Sequence, residues 1–179
     1  MSVSTQTRQT VRRRANFACE YCGVSESDGG GELTVDHYHP QSANGGDDLE
    51  NLVYACFRCN LHKGDYWSEN IEAAQRIFNP RRESISEHFW LSANGTLYAL
   101  TETAEFTIAR LNLNRAPLKT NRRNRLEQSA IRETIEQMRE TINLIAQTNE
   151  QQRNRLDKQS EMLDEQQELI KILLHSDKK

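Results

Sequence analysis

Two pairs of cysteines constrain this chain more than any other feature of its sequence. Each pair is spaced Cys-x-x-Cys, and 33 residues separate the first pair from the second. Two such turns can each supply two thiolates to one tetrahedral zinc ion. The spacing therefore predicts a structural zinc site with four ligands, Cys19, Cys22, Cys56 and Cys59.

Disulfides and a redox pair are the alternative explanations for these cysteines. The N-terminal segment lacks the apolar core of a secretory signal, so we expect a cytoplasmic protein, in which thiols stay reduced. A thioredoxin-like pair would account for one Cys-x-x-Cys but not for two. No stretch approaches the roughly 20 apolar residues of a membrane-spanning helix, so no membrane is expected as a partner.

The segment between the cysteine pairs has the pattern of a β-hairpin. Leu33–Val35 is a short strand-like run, and a loop rich in glycine and proline follows it. A second apolar run, Asn51–Tyr54, leads into the second cysteine pair, and Asn60–Asp65 opens onto a predicted helix. The predicted order around the zinc is therefore strand, strand, helix.

The order of motifs in this region resembles the HNH endonuclease family. The chain has Asp-His at 36–37, Gly-Gly at 45–46, Glu-Asn-Leu at 50–52, Cys-x-x-Cys-Asn at 56–60 and a lysine at 63. The agreement is dense from Arg12 to Asp65 and looser around Phe78–Arg81 and Glu87–Phe89. The resemblance implies an α+β fold, in which a zinc-stapled ββα-metal core forms the nuclease.

The Asp-His pair suits the hydrolysis of a phosphodiester bond. That reaction needs a base to deprotonate a water and a cation to stabilise the developing charge. His37 suits the base because imidazole titrates near neutrality, and Asp36 offers a hard oxygen ligand for Mg²⁺ or Mn²⁺. The alternatives are that Asp36 caps a turn and that His37 is a structural histidine.

Two further roles come from the family resemblance alone. It implies that Asn51 orients the base histidine through a hydrogen bond and that Asn60 is the second ligand of the catalytic metal. Many family members have histidine where this chain has Asn60, and the neutral amide favours Mg²⁺ or Mn²⁺ over zinc. His39 and His62 do not lie at motif positions, so we leave both out of the metal sites.

Contacts with nucleic acid are expected from local basic clusters, because the net charge of the chain is −3. The run Arg12, Arg13 and Arg14 lies in a predicted short helix that also buries Val11 and Phe17, and it could contact phosphates. Lys63, three residues beyond Asn60 on a helix, could hold the substrate phosphate. The alternatives are a solvated basic face and a plain surface lysine.

The middle of the chain, residues 71–117, is predicted to support the nuclease core of residues 1–70. A helical pattern covers Ser68–Phe78 and ends at a proline. Two apolar runs across Asn94-Gly95 predict a β-hairpin, and Thr101–Leu113 is a predicted helix with a threonine cap.

Residues 118–179 contain neither glycine nor proline and are predicted to form one long helix. A heptad register places nine apolar residues among 14 seam positions, with Asn149 at an a position. This pattern predicts a coiled coil, and we prefer a parallel homodimer as its form. Docking onto an unidentified protein and a largely solvated helix are the alternatives.

The sequence thus predicts a metal-dependent endonuclease that cleaves DNA, with RNA still open as a substrate. The alternative is a non-catalytic zinc module that binds nucleic acid or protein through its coiled coil. The enzyme is favoured because a binder has little reason to carry the whole set of motif residues, which is Asp36, His37, Asn51, Asn60 and Lys63.

Overall fold

The computed structural model describes residues 3–69 and 75–176, with the side chains of 172–176 left out. The chain divides into two units, Met1–Glu127 and Gln128–Lys179. The boundaries predicted at residues 70 and 117 stay predictions. Within the described residues, no helix is both long and apolar enough to cross a membrane.

The predicted ββα arrangement is confirmed. Strand β1 (Thr34–His37) pairs antiparallel with β2 (Leu52–Ala55), and His37 lies opposite Leu52. All four residues of β2 are buried, because Leu52 and Tyr54 pack with Val11 on one face and Val53 and Ala55 pack with the cysteines on the other. Asp36 and His37 belong to β1 itself rather than following it, so the strand fixes both backbones.

Two helices precede the hairpin. Helix α1 (Thr5–Arg14) begins at Ser4, whose hydroxyl accepts a hydrogen bond from the Thr7 amide at 3.1 Å. Helix α1 buries Val11 completely, as predicted. The prediction for Phe17 was wrong: its ring is 43% exposed, because the chain turns there with a positive φ of 58°. Helix α2 (Glu26–Gly29) is a single turn held by a capping box.

Helix α3 (Phe57–Lys63) follows β2 directly and completes the core. Its N-cap is Cys56, so the helix begins at a predicted zinc ligand. It ends at Gly64, whose φ of +53° lies in the left-handed region. Helix α3 packs against β1, so the helix that carries Asn60 contacts the strand that carries Asp36.

A second hairpin supports the core, as predicted. After helix α4 (Ile85–His88), strands β3 (Phe89–Leu91) and β4 (Leu97–Ala99) pair antiparallel across the Asn-Gly turn. Gly95 has a φ of +81°, and a Cβ there would lie 2.1 Å from the Lys119 carbonyl oxygen. Only glycine therefore fits this close approach.

The remaining predicted helices have different outcomes. Helix α5 (Glu102–Arg110) begins at Thr101, as predicted, and ends three residues earlier than expected, before Asn112 takes a positive φ. The predicted helix Ser68–Phe78 lies partly outside the described residues. Its described flanks, 68–69 and 75–78, are not helical.

Helix α6 (Ala116–Ser176) is 61 residues long, close to the predicted range. Its first turns pack into the front unit, where Leu118 and Arg122 are buried. Arg122 donates hydrogen bonds to the Gly95 and Leu113 carbonyl oxygens at 3.1 and 2.7 Å. Every residue from Arg123 to Lys171 is exposed.

Candidate metal centre and active site

The four predicted zinc ligands converge. Their Sγ atoms all lie within 4.8 Å of one another, all four residues are buried, and none forms a disulfide. The Sγ atoms of Cys22 and Cys56 are 3.7 Å apart. A tetrahedral site with Zn–S bonds of about 2.3 Å has S–S edges of about 3.8 Å. The donor set therefore fits zinc in both chemistry and spacing.

Local turns bring these sulfurs together. The first Cys-x-x-Cys turn ends at Gly23, which has a φ of +79°. The Gly23 amide donates to the Cys19 carbonyl oxygen at 2.8 Å. In the second Cys-x-x-Cys turn, the Cys56 side chain caps α3 by accepting a hydrogen bond from the Cys59 amide at 3.5 Å. The second Cys-x-x-Cys turn is thus the start of the helix that carries Asn60 and Lys63.

The Lys63 side chain is buried and makes its contacts inside the front unit. It is 1% exposed, and its Nζ lies 3.1 Å from Asp36 Oδ2. The same Nζ donates to the His37 carbonyl oxygen at 2.6 Å and to that of Gly64 at 3.2 Å. The predicted contact of Lys63 with nucleic acid stays a prediction. Lys63 ties α3 to the strand that carries the Asp-His pair.

Asp36 is held in a partly desolvated position by this lysine. Burial raises the pKa of Asp36, and the charge of Lys63 and hydrogen bonds from Lys63 and the His37 amide oppose that rise. Its buried Oδ2 is the atom that forms the ion pair with Lys63. Asp36 and Asn60 carry a carboxylate and an amide oxygen, the kinds of donor that Mg²⁺ and Mn²⁺ prefer, and their role as ligands of a catalytic metal stays a prediction. Asn60 is half-buried, one turn before Lys63 on α3.

His37 has a carboxylate partner that sequence reasoning missed. Its Nε2 lies 2.7 Å from Asp47 Oδ1, and the exposed fractions of the two side chains are 16% and 46%. The hydrogen bond from His37 lowers the pKa of Asp47. Gln41 Nε2 also donates to Asp47 Oδ1, at 3.0 Å. The carboxylate is therefore held between the imidazole and a neighbouring amide.

Asn51 closes the loop that carries Asp47. Its Oδ1 accepts from the His39 amide at 2.7 Å, and its Nδ2 donates to the carbonyl oxygens of His39 and Gly46 at 2.9 and 2.7 Å. A Cβ on Gly45 would lie 1.8 Å from the His39 carbonyl oxygen. The glycine pair thus lets the loop cross close to His39, and Asn51 fixes it there. Asn51 contacts this loop rather than the His37 ring.

The N-terminal arginines are also used inside the protein. Arg12 forms hydrogen bonds with both carboxylate oxygens of Glu26, at 2.6 and 2.7 Å. Arg14 donates to the carbonyl oxygens of Leu49 and Leu52 at 2.7 and 2.6 Å. Both guanidinium groups thus stabilise the core, and the predicted contacts of Arg12 and Arg14 with nucleic acid stay predictions. Arg13 is exposed, and its predicted contact stays a prediction.

The two histidines left out of the metal sites lie outside the cysteine cluster. The His39 ring stacks on Trp67, with centroids 4.0 Å apart and 21° between the planes. His62 is half-buried on α3. Among the described residues, the four cysteines are the one group of three or more metal-ligating side chains close enough to share an ion.

The geometry and the motif order define a ββα module with a four-cysteine zinc site. The model of the family described as HNH endonuclease matches residues 19–66. That range contains all four cysteines, β1, β2 and α3, so the front of the chain contains an HNH domain, which supports a nuclease-type function. The match does not extend to α4–α6. A search of the curated proteins found no match.

Proposed function

We propose that this protein is a metal-dependent endonuclease that hydrolyses phosphodiester bonds of DNA. The observation that carries the proposal is the pairing of His37 with Asp47 next to Asp36, inside the segment that matches the HNH model. A non-catalytic module would not need Asp47 to bind the His37 imidazole. It would also not need a second carboxylate, that of Asp36, paired with a buried lysine nearby.

His37 acts as the general base in this proposal. With Asp47 accepting a hydrogen bond from Nε2–H, the neutral imidazole keeps its lone pair on Nδ1. Nδ1 takes a proton from the attacking water, and the imidazolium that results is stabilised by the Asp47 carboxylate. Asp47 is a positioning residue, because it acts through His37. Asn51 supports it by holding the loop between Gly46 and His39.

Asp36 and Asn60 hold the catalytic cation in this proposal. A bound Mg²⁺ or Mn²⁺ would stabilise negative charge on the phosphate and on the leaving oxygen. Lys63 keeps the Asp36 carboxylate ionised and at a fixed position by contacting both its Oδ2 and the backbone of His37. The lysine therefore contributes to the site through its contacts with Asp36 and His37.

The direct test is cleavage of supercoiled plasmid with Mg²⁺ or Mn²⁺. We expect the wild type to cut and His37→Ala to lose roughly 10²–10⁴-fold in rate, the usual contribution of a general base. The matched control is His62→Ala, a histidine on the same domain outside the site, which should keep wild-type activity. Cleavage that survives His37→Ala would remove the base assignment. No cleavage by any variant, with DNA binding intact, would favour the non-catalytic module.

The role of Asp47 has its own test. We expect Asp47→Asn to lose about 10–100-fold in kcat, as for other groups that orient a catalytic or metal-binding histidine, with a nearly unchanged KM. Asp48→Asn, one residue further along the same loop, is the control. The ¹⁵N shifts of the His37 ring should show the Nε2–H tautomer in the wild type. A ring that keeps this tautomer and full activity in Asp47→Asn would contradict the role.

The preference for DNA is tested with matched substrates. Cleavage rates on a DNA duplex, a DNA single strand and an RNA of the same sequence should be highest on DNA. A higher rate on the RNA would keep the nuclease chemistry and replace the substrate class.

A further inference from the structure

The rear unit, Gln128–Lys179, presents an apolar stripe to solvent. The seam residues that the heptad register picks out lie on one face of α6, and each described one is about half exposed. Their exposed fractions are Ile131 58%, Ile135 46%, Met138 59%, Ile142 64%, Ile145 54%, Leu156 64%, Leu163 57% and Ile170 55%. A soluble helix that is left alone does not keep such a stripe.

The stripe is large enough to form a stable interface. Each of these eight side chains offers on the order of 100 Å² of apolar surface. Two copies of the stripe packed together would bury on the order of 1,500 Å², which lies inside the range of specific protein–protein interfaces. No charged residue occupies a seam position, so the face can be desolvated without burying a charge.

We infer that the stripe binds a second copy of this chain, in parallel and in register. The polar seam residues carry this choice of occupant. The five polar seam residues are Gln128, Asn149, Gln152, Gln159 and Gln166. In a parallel pair each residue faces its own copy, so every amide meets an amide and every apolar side chain meets an apolar one. Buried amides that hydrogen bond to each other avoid the cost of an unpaired polar group.

An antiparallel pair would separate Gln159 and Gln166 from the other amides, although Asn149 and Gln152 would still face each other. With the two tails fully overlapped, Gln166 would face Ile135 and Gln159 would face Ile142. Each glutamine would then be buried against a hydrocarbon side chain with no partner for its amide. A parallel pair instead has five successive apolar layers from Ile131 to Ile145, followed by the Asn149 layer that fixes register.

A parallel pair has a consequence for cleavage. Both helices enter the pair from the same end, so both HNH domains are joined to that end. This consequence rests on the proposed function, whereas the pairing does not. Two active sites tethered together would cut both strands of a duplex in one encounter more often than a monomer does.

The pairing is tested by the solution mass of the full-length protein. We expect a dimer of twice the 20.7 kDa of one chain, measured by sedimentation equilibrium at micromolar concentration. Ile142→Lys should give a monomer, because it places a charge in the seam. Leu144→Lys is a matched control, because Leu144 is also 64% exposed but lies off the seam, and it should stay dimeric. A monomeric wild type, or equal masses for both variants, would overturn the inference.

The orientation is tested by a disulfide across the seam. Gln166→Cys should form a disulfide-linked dimer on oxidation, since the two cysteines face each other in a parallel pair. In an overlapped antiparallel pair they would lie about 45 Å apart, at ~1.5 Å per residue. Glu161→Cys, on the outer face of the helix, is the control and should not cross-link. A dimer that fails to cross-link at Gln166→Cys would overturn the parallel orientation.

The consequence for cleavage is measured separately from the mass. The ratio of linear to nicked plasmid should fall severalfold in Ile142→Lys and stay unchanged in Leu144→Lys. A dimeric wild type that cleaves nothing would leave the pairing standing and remove the proposed function. A monomeric wild type that cleaves would do the reverse.

Discussion

The front and rear units of this protein use charged residues in opposite ways. In the front unit Lys63 and Arg122 are buried and each contacts several backbone or side-chain oxygens. In the rear unit the ion pair between Arg139 and Glu136 spans 3.6 Å with side chains 71% and 65% exposed. The buried polar groups of the front unit therefore stabilise its own fold. In the rear unit, both the charged residues and the apolar stripe are exposed to solvent.

This difference teaches where each unit gets its stability. The front unit has a small core, and four buried sulfurs stand where a larger domain would have more hydrophobic side chains. The rear unit has no internal core in its described residues and gains stability only from helix formation and from whatever covers the stripe. We therefore expect the first unit to depend on a bound metal, and the second unit, as proposed above, to depend on pairing with a second copy.

Metal removal should produce the largest difference between the responses of the two units. Structural zinc contributes about 10–16 kcal/mol in zinc-finger peptides, which exceeds the net stability of most domains. Chelation should therefore unfold the front unit, with a change in the fluorescence of Trp67 and Trp90, while much of the helical circular dichroism at 222 nm remains.

The control for chelation is recovery on adding zinc back. Cys59→Ser should reproduce the chelated state without recovery. A front unit that keeps its tryptophan fluorescence without metal would show that the cysteine cluster is not structural. Complete loss of the helical signal would show that α6 depends on the front unit, and the contrast between the units would fail.

The next largest effect is expected from the buried lysine. Lys63→Ala removes the partner of a buried carboxylate, and breaking a buried ion pair costs about 3–5 kcal/mol. Urea unfolding of the zinc-loaded protein at pH 7 measures this loss. Arg58→Ala, on the exposed side of the same helix, should change the free energy of unfolding by less than about 0.5 kcal/mol. Equal effects of the two substitutions would contradict the structural role of Lys63.

The motif positions were predictable because local spacing determines them. Two Cys-x-x-Cys turns, an Asp-His pair and an apolar run fix a hairpin and a helix with few alternatives. The Asn-Gly turn at residues 94–95 is equally local, because the positive φ that the turn needs is supplied by Gly95 alone. The zinc ligands therefore followed from the sequence without knowledge of the packing.

The contacts that long-range packing decides were not predictable. The sequence offers Asp47, Asp48 and Glu50 after the glycine pair, and only the crossing of the loop over His39 selects Asp47 as the partner of His37. Lysine at position 63 reads as a surface residue, because its burial depends on Asp36, which is 27 residues earlier. The loop sequence does contain carboxylates that could contact His37, but the sequence alone does not show which of the three does so.

A smaller effect is expected in the rear unit from the seam asparagine. Asn149→Leu replaces a buried amide pair by an apolar layer and should strengthen self-association by roughly 1–3 kcal/mol, while assemblies other than the dimer appear, because that asparagine selects the oligomeric state. Sedimentation equilibrium measures both changes. Gln147→Leu, on the outer face, should leave them unchanged. Weaker association of Asn149→Leu would remove this residue from the interface.

The smallest effect compares ion pairs of the two units in acid. Hydrogen bonds from Arg12 and Tyr54 lower the pKa of Glu26 to about 2, from an ordinary value of 4.5. A carboxyl group whose folded-state pKa is lowered contributes stability above its unfolded pKa and loses it as the pH falls. The contribution of Glu26 should therefore be complete above pH 4.5 and should decline progressively towards pH 2.

Glu26→Gln isolates this contribution. The difference in free energy of unfolding between the wild type and the variant should shrink as the pH falls below 4.5, while protonation of the zinc ligands affects both proteins alike. Glu136→Gln in the rear unit is the matched control, since an exposed pair contributes little at any pH, and its difference from the wild type should stay flat. A flat difference for Glu26→Gln as well would mean that the front unit, like the rear one, gains nothing from this ion pair.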